Sequence, residues 1–390
     1  MANKLKVAMV TSYPEQEGVL NGGVQSAAYH LANELSVSHP VEVIIVARGG
    51  KKGKVEKRGS ITIHWLGGAG IIPDFIYYWT IERYRIHALL KAIEPDVVHF
   101  QAILGWLINY RKPCLATIHG LGEKDVLFSH RPFPKVRSWV IGKIENYGRK
   151  SSKNNIIINP YVLKAIGSSL KGNAVNIPNP VPDKYFKVDR KPIGRRILYV
   201  GRISKLKNID GLIKVFSLVC KELPDSELRL CGAFESEEFQ MYCSRLVGQL
   251  NLDNNVQFMG LADSEVVLKE LSGASVLVLL SHLEMSPMVI EEAMAAGVPV
   301  VASNISGIPY MIKHGENGFL VDRSAHKATA EYICELLLDN ELQLNISLAA
   351  KKQALEKFHV KPIAKQTASQ YLSVVNSQYK KEGIFSRLKN

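Results

Sequence analysis

Short apolar, β-branched runs alternate along this chain with longer stretches of helical periodicity, and this alternation limits the possible folds more than any other feature. Val41–Ala47, Val97–Phe100, Arg196–Val200 and Val298–Ala302 are nearly continuous in apolar residues and end in polar or glycine turns. Such strands are buried on both faces, which places them in a parallel sheet covered by helices. Further strands are expected at Lys6–Thr11, Ile61–Leu66, Cys114–Ile118, Ile156–Ile158 and Val175–Ile177, then at Leu228–Cys231, Val256–Met259, Val276–Leu280 and Gly318–Val321. Helices are expected near Val24–Ser36, Trp79–Ile93, Val136–Lys150 and Tyr161–Ile166. In the second half they fall near Ile209–Glu222, Ser236–Leu250, Asp263–Leu271, Pro287–Ala296, His326–Asp339 and Glu341–Glu356. The fold class is α/β, with two Rossmann-like, doubly wound parallel-sheet domains in tandem.

At 390 residues the chain exceeds one small core. The window Pro178–Pro192 (PNPVPDKYFKVDRKP) holds four prolines, mixed charge and no apolar run, and reads as a linker. The domains expected are 1–180 and 181–360, with the tail 361–390 packing back on the first. No apolar run approaches the roughly 18–20 residues that span a bilayer. The N-terminal MANKLKVAMVTSY has too short an apolar run for a signal peptide and reads as a first strand. Five cysteines, scattered and without a C-x-x-C, argue for a reduced, cytoplasmic compartment and against a structural zinc site.

The net charge of +13 points to an anionic partner. Between Arg111 and Lys153 ten Lys/Arg face three acids, interleaved with Leu127, Phe128, Phe133, Trp139, Ile141 and Ile144. Two readings are open: an anionic membrane surface, or a solvated helix face over an ordinary core. Nucleic acid is disfavoured, because no aromatic platform or recognition motif accompanies the charge.

Chemistry concentrates at strand ends. Ser281–Ser303 (SHLEMSPMVIEEAMAAGVPVVAS) places Glu284 in a turn after one strand and Glu291 and Glu292 in the helix that follows. Pro287 suits that helix's first turn, whose N–H groups and positive dipole end favour a phosphate. Gly201-Arg202 closes the second domain's first strand, and Lys207-Asn208 follows; two cations there can neutralise a diphosphate. Small residues at Cys231-Gly232 and Gly260 are expected to keep the site open. Gly22-Gly23 opens the first long helix without a G-x-G-x-x-G fingerprint, so it reads either as a ligand approach or as a plain turn. His119, in ATIHGLG, ends a strand and is either a ligand contact or a capping histidine. Glu284 and Glu292, if ionised, accept hydrogen bonds from sugar or ribose hydroxyls. Glu291 is expected to face elsewhere.

Taken together these stretches resemble the retaining glycosyltransferases of family 4, which share the two-domain GT-B fold (glycosyl transferases group 1). The resemblance rests on the E-x7-E pair Glu284/Glu292, followed by AMAAGVPVVAS and GIPYMIKHGENGFLV; on GRISKLKN (Gly201–Asn208); on NGGVQSAAYHLANEL (Asn21–Leu35); and on IHG and IPNPV. It implies that Arg202 and Lys207 hold the donor's diphosphate, helped by backbone N–H groups around Ser286, Pro287, Met288 and Val289. It further implies that Glu292 meets the ribose, Glu284 the donor-sugar hydroxyls, and His119 the transferred sugar, with Gly22 and Gly23 bordering the phosphates and acceptor. Many members carry Gly and an aromatic residue after the first Glu, where this chain has Met285-Ser286. Nothing in Ile71–Arg85 or Asp125–Arg149 identifies a particular acceptor.

The activity expected is transfer of a sugar from a UDP- or GDP-linked donor to an acceptor hydroxyl, with retention, no metal and no other cofactor. The basic, apolar stretch suggests a lipid-linked saccharide as acceptor, for cell-surface polysaccharide or glycolipid assembly, on the inner face of the cytoplasmic membrane. Two other classes fit the architecture. A two-lobed binding protein would close on its ligand without chemistry. A nucleotide-sugar epimerase would turn over without an acceptor, and a phosphorylase would carry a lysine-bound pyridoxal, which nothing here indicates.

Overall fold

The computed structural model describes residues 4–49, 53–68, 77, 80–101, 103–128 and 132–381. The chain divides into two compact units. One takes the chain up to Glu15, Val24–Pro180 and everything from Val360 onward; the other takes Gln16–Gly23 and Val181–His359.

The first unit is built on eight strands: β1 (Leu5–Thr11), β2 (Val41–Ala47), β3 (Lys54–Arg58), β4 (Ile61–Trp65), β5 (Val97–Gln101), β6 (Cys114–Ile118), β7 (Asn154–Ile157) and β8 (Asn173–Asn176). Their spatial order is β3-β4-β2-β1-β5-β6-β7-β8. All pair in parallel except β3, which runs antiparallel to β4. β3 (KVEKR) is absent from the sequence expectation because it is an edge strand, and edges carry charge rather than an apolar run. Helix Val360–Lys381 belongs to this unit, where Ile363, Ala364, Tyr371, Val374 and Val375 join the core. Residues 71–76, 78–79 and 131, and the tail beyond 381, lie outside the described residues, and with them most of the acceptor-side stretch Ile71–Arg85.

The second unit holds β9 (Arg196–Val200), β10 (Glu227–Cys231), β11 (Val256–Gly260), β12 (Val276–Leu279), β13 (Val300–Ser303) and β14 (Phe319–Val321), in the order β11-β10-β9-β12-β13-β14. Every pairing is parallel. In sequence terms this is the 3-2-1-4-5-6 order of a doubly wound sheet, with its switch point between β9 and β12. The corresponding switch in the first unit lies between β1 and β5.

The proline-rich window is less of a linker than its composition suggests. Val181 and Tyr185 are buried in the second unit's core, and Asp183–Phe186 forms a helical turn. Arg190 donates from Nη1 to Gly297 O (2.5 Å) and from Nη2 to Ala274 O (2.6 Å), holding the C-terminal ends of two helices.

Gly232 corrects the expectation of open space at these strand ends. Its φ is +153°, and a Cβ there would lie 1.8 Å from Gly201 O. The loops after β9 and β10 are in backbone contact, and Gly201 N–H donates to Cys231 O at 2.9 Å. Gly260 also has a positive φ, of +69°, but nothing lies within 4 Å of its Cβ position. Gly232→Ala should therefore destabilise the protein by about 2 kcal/mol or more, and Gly260→Ala by about half that. Urea midpoints measure both. Equal midpoints for Gly232→Ala and the unmodified protein would refute the close-packing account.

Candidate active site

Loop Gly201–Asn208 leaves β9 at the switch point. Gly201 has φ +147°, and Tyr199 Oη donates to Arg202 O at 2.7 Å, pinning the turn from below. Lys207 N–H donates to Ser204 O (3.1 Å) and Asn208 N–H to Lys205 O (3.0 Å), so the loop turns back before helix Ile209–Glu222. The Arg202 side chain is exposed, whereas Lys207 is partly buried.

The neighbouring strand β12 supplies the other half. Lys207 Nζ forms an ion pair with Glu284 Oε1, and Ser281 Oγ donates to the same oxygen at 2.7 Å. The cation and the carboxylate that the sequence separates by 77 positions meet directly. Tyr199, fully buried, lies close enough to Glu284 for its charge to add to burial in raising the phenol's pKa well above the usual value. Behind the turn, Gly307 N–H donates to Glu284 O (2.9 Å) and Ser303 Oγ to Ser281 O (2.9 Å).

Helix Met288–Ala296 begins directly after this turn. Pro287 sits at its cap with φ −69° and ψ 113°, one position earlier than expected. The N–H groups of Met288 and Val289 fall in the first turn, where intrahelical acceptors are lacking. The helix is apolar nearly all round and buried on every side but Val289. Glu291 is fully buried and accepts from Ser286 Oγ at 2.7 Å.

Glu292 differs from the expectation of an ionised acceptor. Burial raises its pKa to about 8, more than a hydrogen bond from Tyr185 and the nearby Lys184 charge lower it. At neutral pH its carboxyl holds a proton, so it can donate as well as accept. Tyr185 is the partner that the linker reading hid. Lys184 beside it donates to Ser264 Oγ at 2.8 Å.

Gly22 has φ +97° with open space around it, as the backbone approach requires. The loop Gln16–Gly23 is part of the second unit, where a Cβ on Gly23 would lie 3.4 Å from Met288 Cγ.

In the first unit, His119 follows β6 and is half-buried in a recess lined by Ala27, Leu31, Gln101, Asn179 and Thr367. His119 Nε2–H donates to Gln101 Oε1 at 3.1 Å, and Asn179 makes a further side-chain hydrogen bond to the ring. Burial holds its pKa down to about 4 despite Asn179. His99, two residues before Gln101, is fully buried, and its ring nitrogens bond Tyr371 Oη (2.8 Å) and Thr117 Oγ1 (2.7 Å). Burial lowers its pKa to about 3, with the nearby His119 adding to the effect. Gln101 and Tyr199 escaped sequence reasoning because each lies inside or beside an apolar run, and Tyr185 because it lies in the proline-rich window. The available signal was that a buried amide or phenol needs a partner.

Helix Pro134–Ser151 carries the basic, apolar stretch. Phe133, Val136 and Trp139 are 77%, 60% and 65% exposed, so the large hydrophobes point outward rather than into a core. Lys135, Lys143 and Lys150 are exposed among them, while Arg149 is buried and pairs with Glu123 at 2.8 Å. Glu145, on the inner face, accepts from the backbone of Leu104 and Gly105, and burial raises its pKa to about 7. Among the described residues no helix is long and apolar enough to cross a membrane, and no group of three or more His, Cys, Asp and Glu is arranged to hold a metal.

Two family models match the chain: Glycosyltransferase Family 4 over residues 21–184, and Glycosyl transferases group 1 over residues 183–353. The chain is 30% identical over 202 residues to N-acetyl-alpha-D-glucosaminyl L-malate synthase of Bacillus anthracis, a match covering 49% of this chain and 51% of that protein. It is also 30% identical over 203 residues to the capsular polysaccharide biosynthesis glycosyltransferase CapM of Staphylococcus aureus, covering 50% and 49%. The match thus spans about half the length of these relatives. Among solved structures, Anabaena HepE in complex with UDP-glucose superposes with a TM-score of 0.73 at 16% identity, over 95% of this chain and 100% of that one. That likeness establishes the fold.

The buried carboxyls predict an alkaline loss of stability. Glu292 and Glu145 keep their protons in the folded chain to about 8 and about 7, but lose them near 4.5 when unfolded. Their contribution is complete below pH 4.5 and disappears as pH rises through those folded values. His99 and His119 act oppositely. They stay neutral in the fold down to about 3 and about 4, so their contribution is present above 6.5 and is lost as pH falls. Between 4.5 and 6.5 the two pairs offset, and stability should fall on the alkaline side. Urea midpoints at pH 6.5 and 8.5 should differ less in Glu292→Gln than in the unmodified protein. An unchanged difference would contradict the raised pKa.

Proposed function

The chain belongs to the group 1, family 4 glycosyltransferases of GT-B fold, and we propose that it moves a sugar from a nucleotide-sugar donor to an acceptor hydroxyl with retention at the anomeric carbon. The observation that carries this reading is the Lys207–Glu284 pair, with an exposed Arg202 in the same loop as Lys207 and the Met288 helix N-terminus directly after Glu284's turn. Cations, a sugar-binding carboxylate and free N–H groups gather where a doubly wound sheet binds phosphates.

In this reading Arg202, Lys207 and the N–H groups of Ser286, Met288 and Val289 take the diphosphate charge as the bond from the anomeric carbon to the phosphate oxygen breaks. Donor hydroxyls compete for Glu284 Oε1, which now holds Lys207 and Ser281. Glu292 meets the ribose. Among the described residues of this set, burial keeps His119 neutral with a pKa of about 4, and Glu284 is engaged by Lys207 and Ser281. As the resemblance to retaining members of the family implies, the departing phosphate oxygen receives the acceptor's proton as the new glycosidic bond forms on the same face. The charge is met by protein cations and helix N–H groups, so the reading calls for no metal or other cofactor.

The donor is proposed to be UDP- or GDP-linked, which the UDP-glucose complex of a protein with the same fold supports. The acceptor is proposed to be a saccharide, lipid-linked, in assembly of a surface polysaccharide or glycolipid, at the cytoplasmic face of a membrane. Support comes from the outward Phe133, Val136 and Trp139 among Lys135, Lys143 and Lys150, and from the similarity to the capsular polysaccharide biosynthesis glycosyltransferase of Staphylococcus aureus.

Lys207→Ala and Arg202→Ala should each lower turnover, by about 100-fold or more for Lys207. Full turnover in both would remove the diphosphate assignment. A thermal-shift screen with UDP, GDP, ADP and their sugars should select one nucleotide, since a ligand at a hundred times its Kd stabilises by about 2.7 kcal/mol. Sedimentation with vesicles containing anionic lipid should capture the protein, and Trp139→Ala with Lys135→Glu and Lys143→Glu should release it. Equal sedimentation of variant and parent would end the membrane reading.

A further inference from the structure

We propose that Gln101 is a positioning residue for His119, fixing the orientation of the imidazole without placing a charge beside it, so that the ring serves as a hydrogen-bonding ligand. The inference rests on the reading that His119 meets the transferred sugar.

The geometry follows from strand register. On β5 and β6, Gln101 is paired with Thr117. His99 and Gln101, two apart, share a face of the sheet, as do Thr117 and the position of His119. A row of polar side chains thus crosses an otherwise apolar layer: Tyr371 to His99 to Thr117, then Gln101 to His119. Gln101 is 1% exposed. Its Oε1 receives the His119 Nε2 proton at 3.1 Å, while its Nε2 is buried without a hydrogen-bond partner. Leaving a donor unsatisfied inside the protein is destabilising, and an apolar side chain would avoid it. The contact with His119 is what the amide adds.

An amide can do this where a carboxylate cannot. Both accept the ring proton and fix the ring, but a carboxylate also favours imidazolium. Of the titratable groups near the ring, His99 is neutral, Tyr371 bonds His99, and Asp125 lies by Gly120, its Oδ2 3.7 Å from where a Cβ on that glycine would stand. Gln101 therefore orients His119 without charging it.

The test uses the full-length protein labelled with 15N-histidine, with the His119 signals identified by their loss in His119→Ala. Ring spectra are followed across pH in the parent, Gln101→Glu and Gln101→Leu, alongside UDP release from UDP-glucose. In the parent the ring should stay neutral and Nε2-protonated down to about pH 5. In Gln101→Glu its titration should move up by about 1–3 pH units, and UDP release should then rise with pH where the parent is flat. Gln101→Leu should keep the ring neutral yet lower UDP release about 10- to 100-fold, with KM for UDP-glucose within about twofold. Identical ring titration in all three proteins would overturn the proposal. So would full activity in Gln101→Leu when His119→Ala has lost it. Full activity in His119→Ala would instead defeat the assignment of His119 to the sugar, and the ring spectra would still decide whether Gln101 governs its charge. Gln101→Leu keeps the test open should the buried glutamate prevent folding.

Discussion

Parallel strand pairing is the constraint on which the rest of this molecule depends. Each crossover helix returns the chain to the same edge, so every strand except the antiparallel β3 delivers its following loop to the carboxyl side of its sheet. In the second unit the order reverses between β9 and β12, and crossovers diverge to either side. Loop Gly201–Asn208 and turn Ser281–Glu284 therefore emerge as neighbours, although many residues separate them. The Lys207–Glu284 ion pair is a direct product of that topology. In the first unit the same reversal lies between β1 and β5, and Gln101 and His119 leave adjacent strands β5 and β6.

The ionisable groups at these edges are already engaged, and the engagement shapes what each can do. Lys207 and Glu284 neutralise one another; Ser286 occupies Glu291; burial keeps Glu292 protonated to about 8; in the first unit burial keeps His119 neutral while Gln101 accepts its ring proton. Arg202 is exposed in the loop that carries Lys207. Within each unit such engaged groups suit electrostatic stabilisation better than proton transfer by a free base. The supporting structure is correspondingly tight: Tyr199 braces the Arg202 carbonyl, Gly232 lets two loops touch, and Arg190 with Ser347 holds Gly297 at the far end of the Met288 helix.

Most of the fold could be read from the sequence because buried parallel strands and amphipathic helices leave strong periodic signals. Helix Ile209–Glu222 and strand Val41–Ala47 are found where the pattern placed them. The failures have one cause: local composition reports burial poorly where charge or proline is present. β3 is an edge strand whose alternating charges mask it. Val181 and Tyr185 lie among prolines yet are core residues. Helix Pro134–Ser151 shows the opposite case, in which Phe133, Val136 and Trp139 are apolar but face outward, while Arg149 is charged and buried.

By itself the sequence determined the parallel α/β class, the tandem arrangement and which strand ends bear cations, carboxylates and glycines, because those depend on spacing along the chain. Only the tertiary structure decided how these groups act on one another. That Glu284 faces Lys207 while Glu291 faces Ser286, that Glu292 is buried against Tyr185, and that Gln101 holds His119 all depend on distances across strands and on exclusion of water. Hydrogen-bond geometry and desolvation set both the charge and the direction of a side chain, and neither is a property of the residue's place in the sequence.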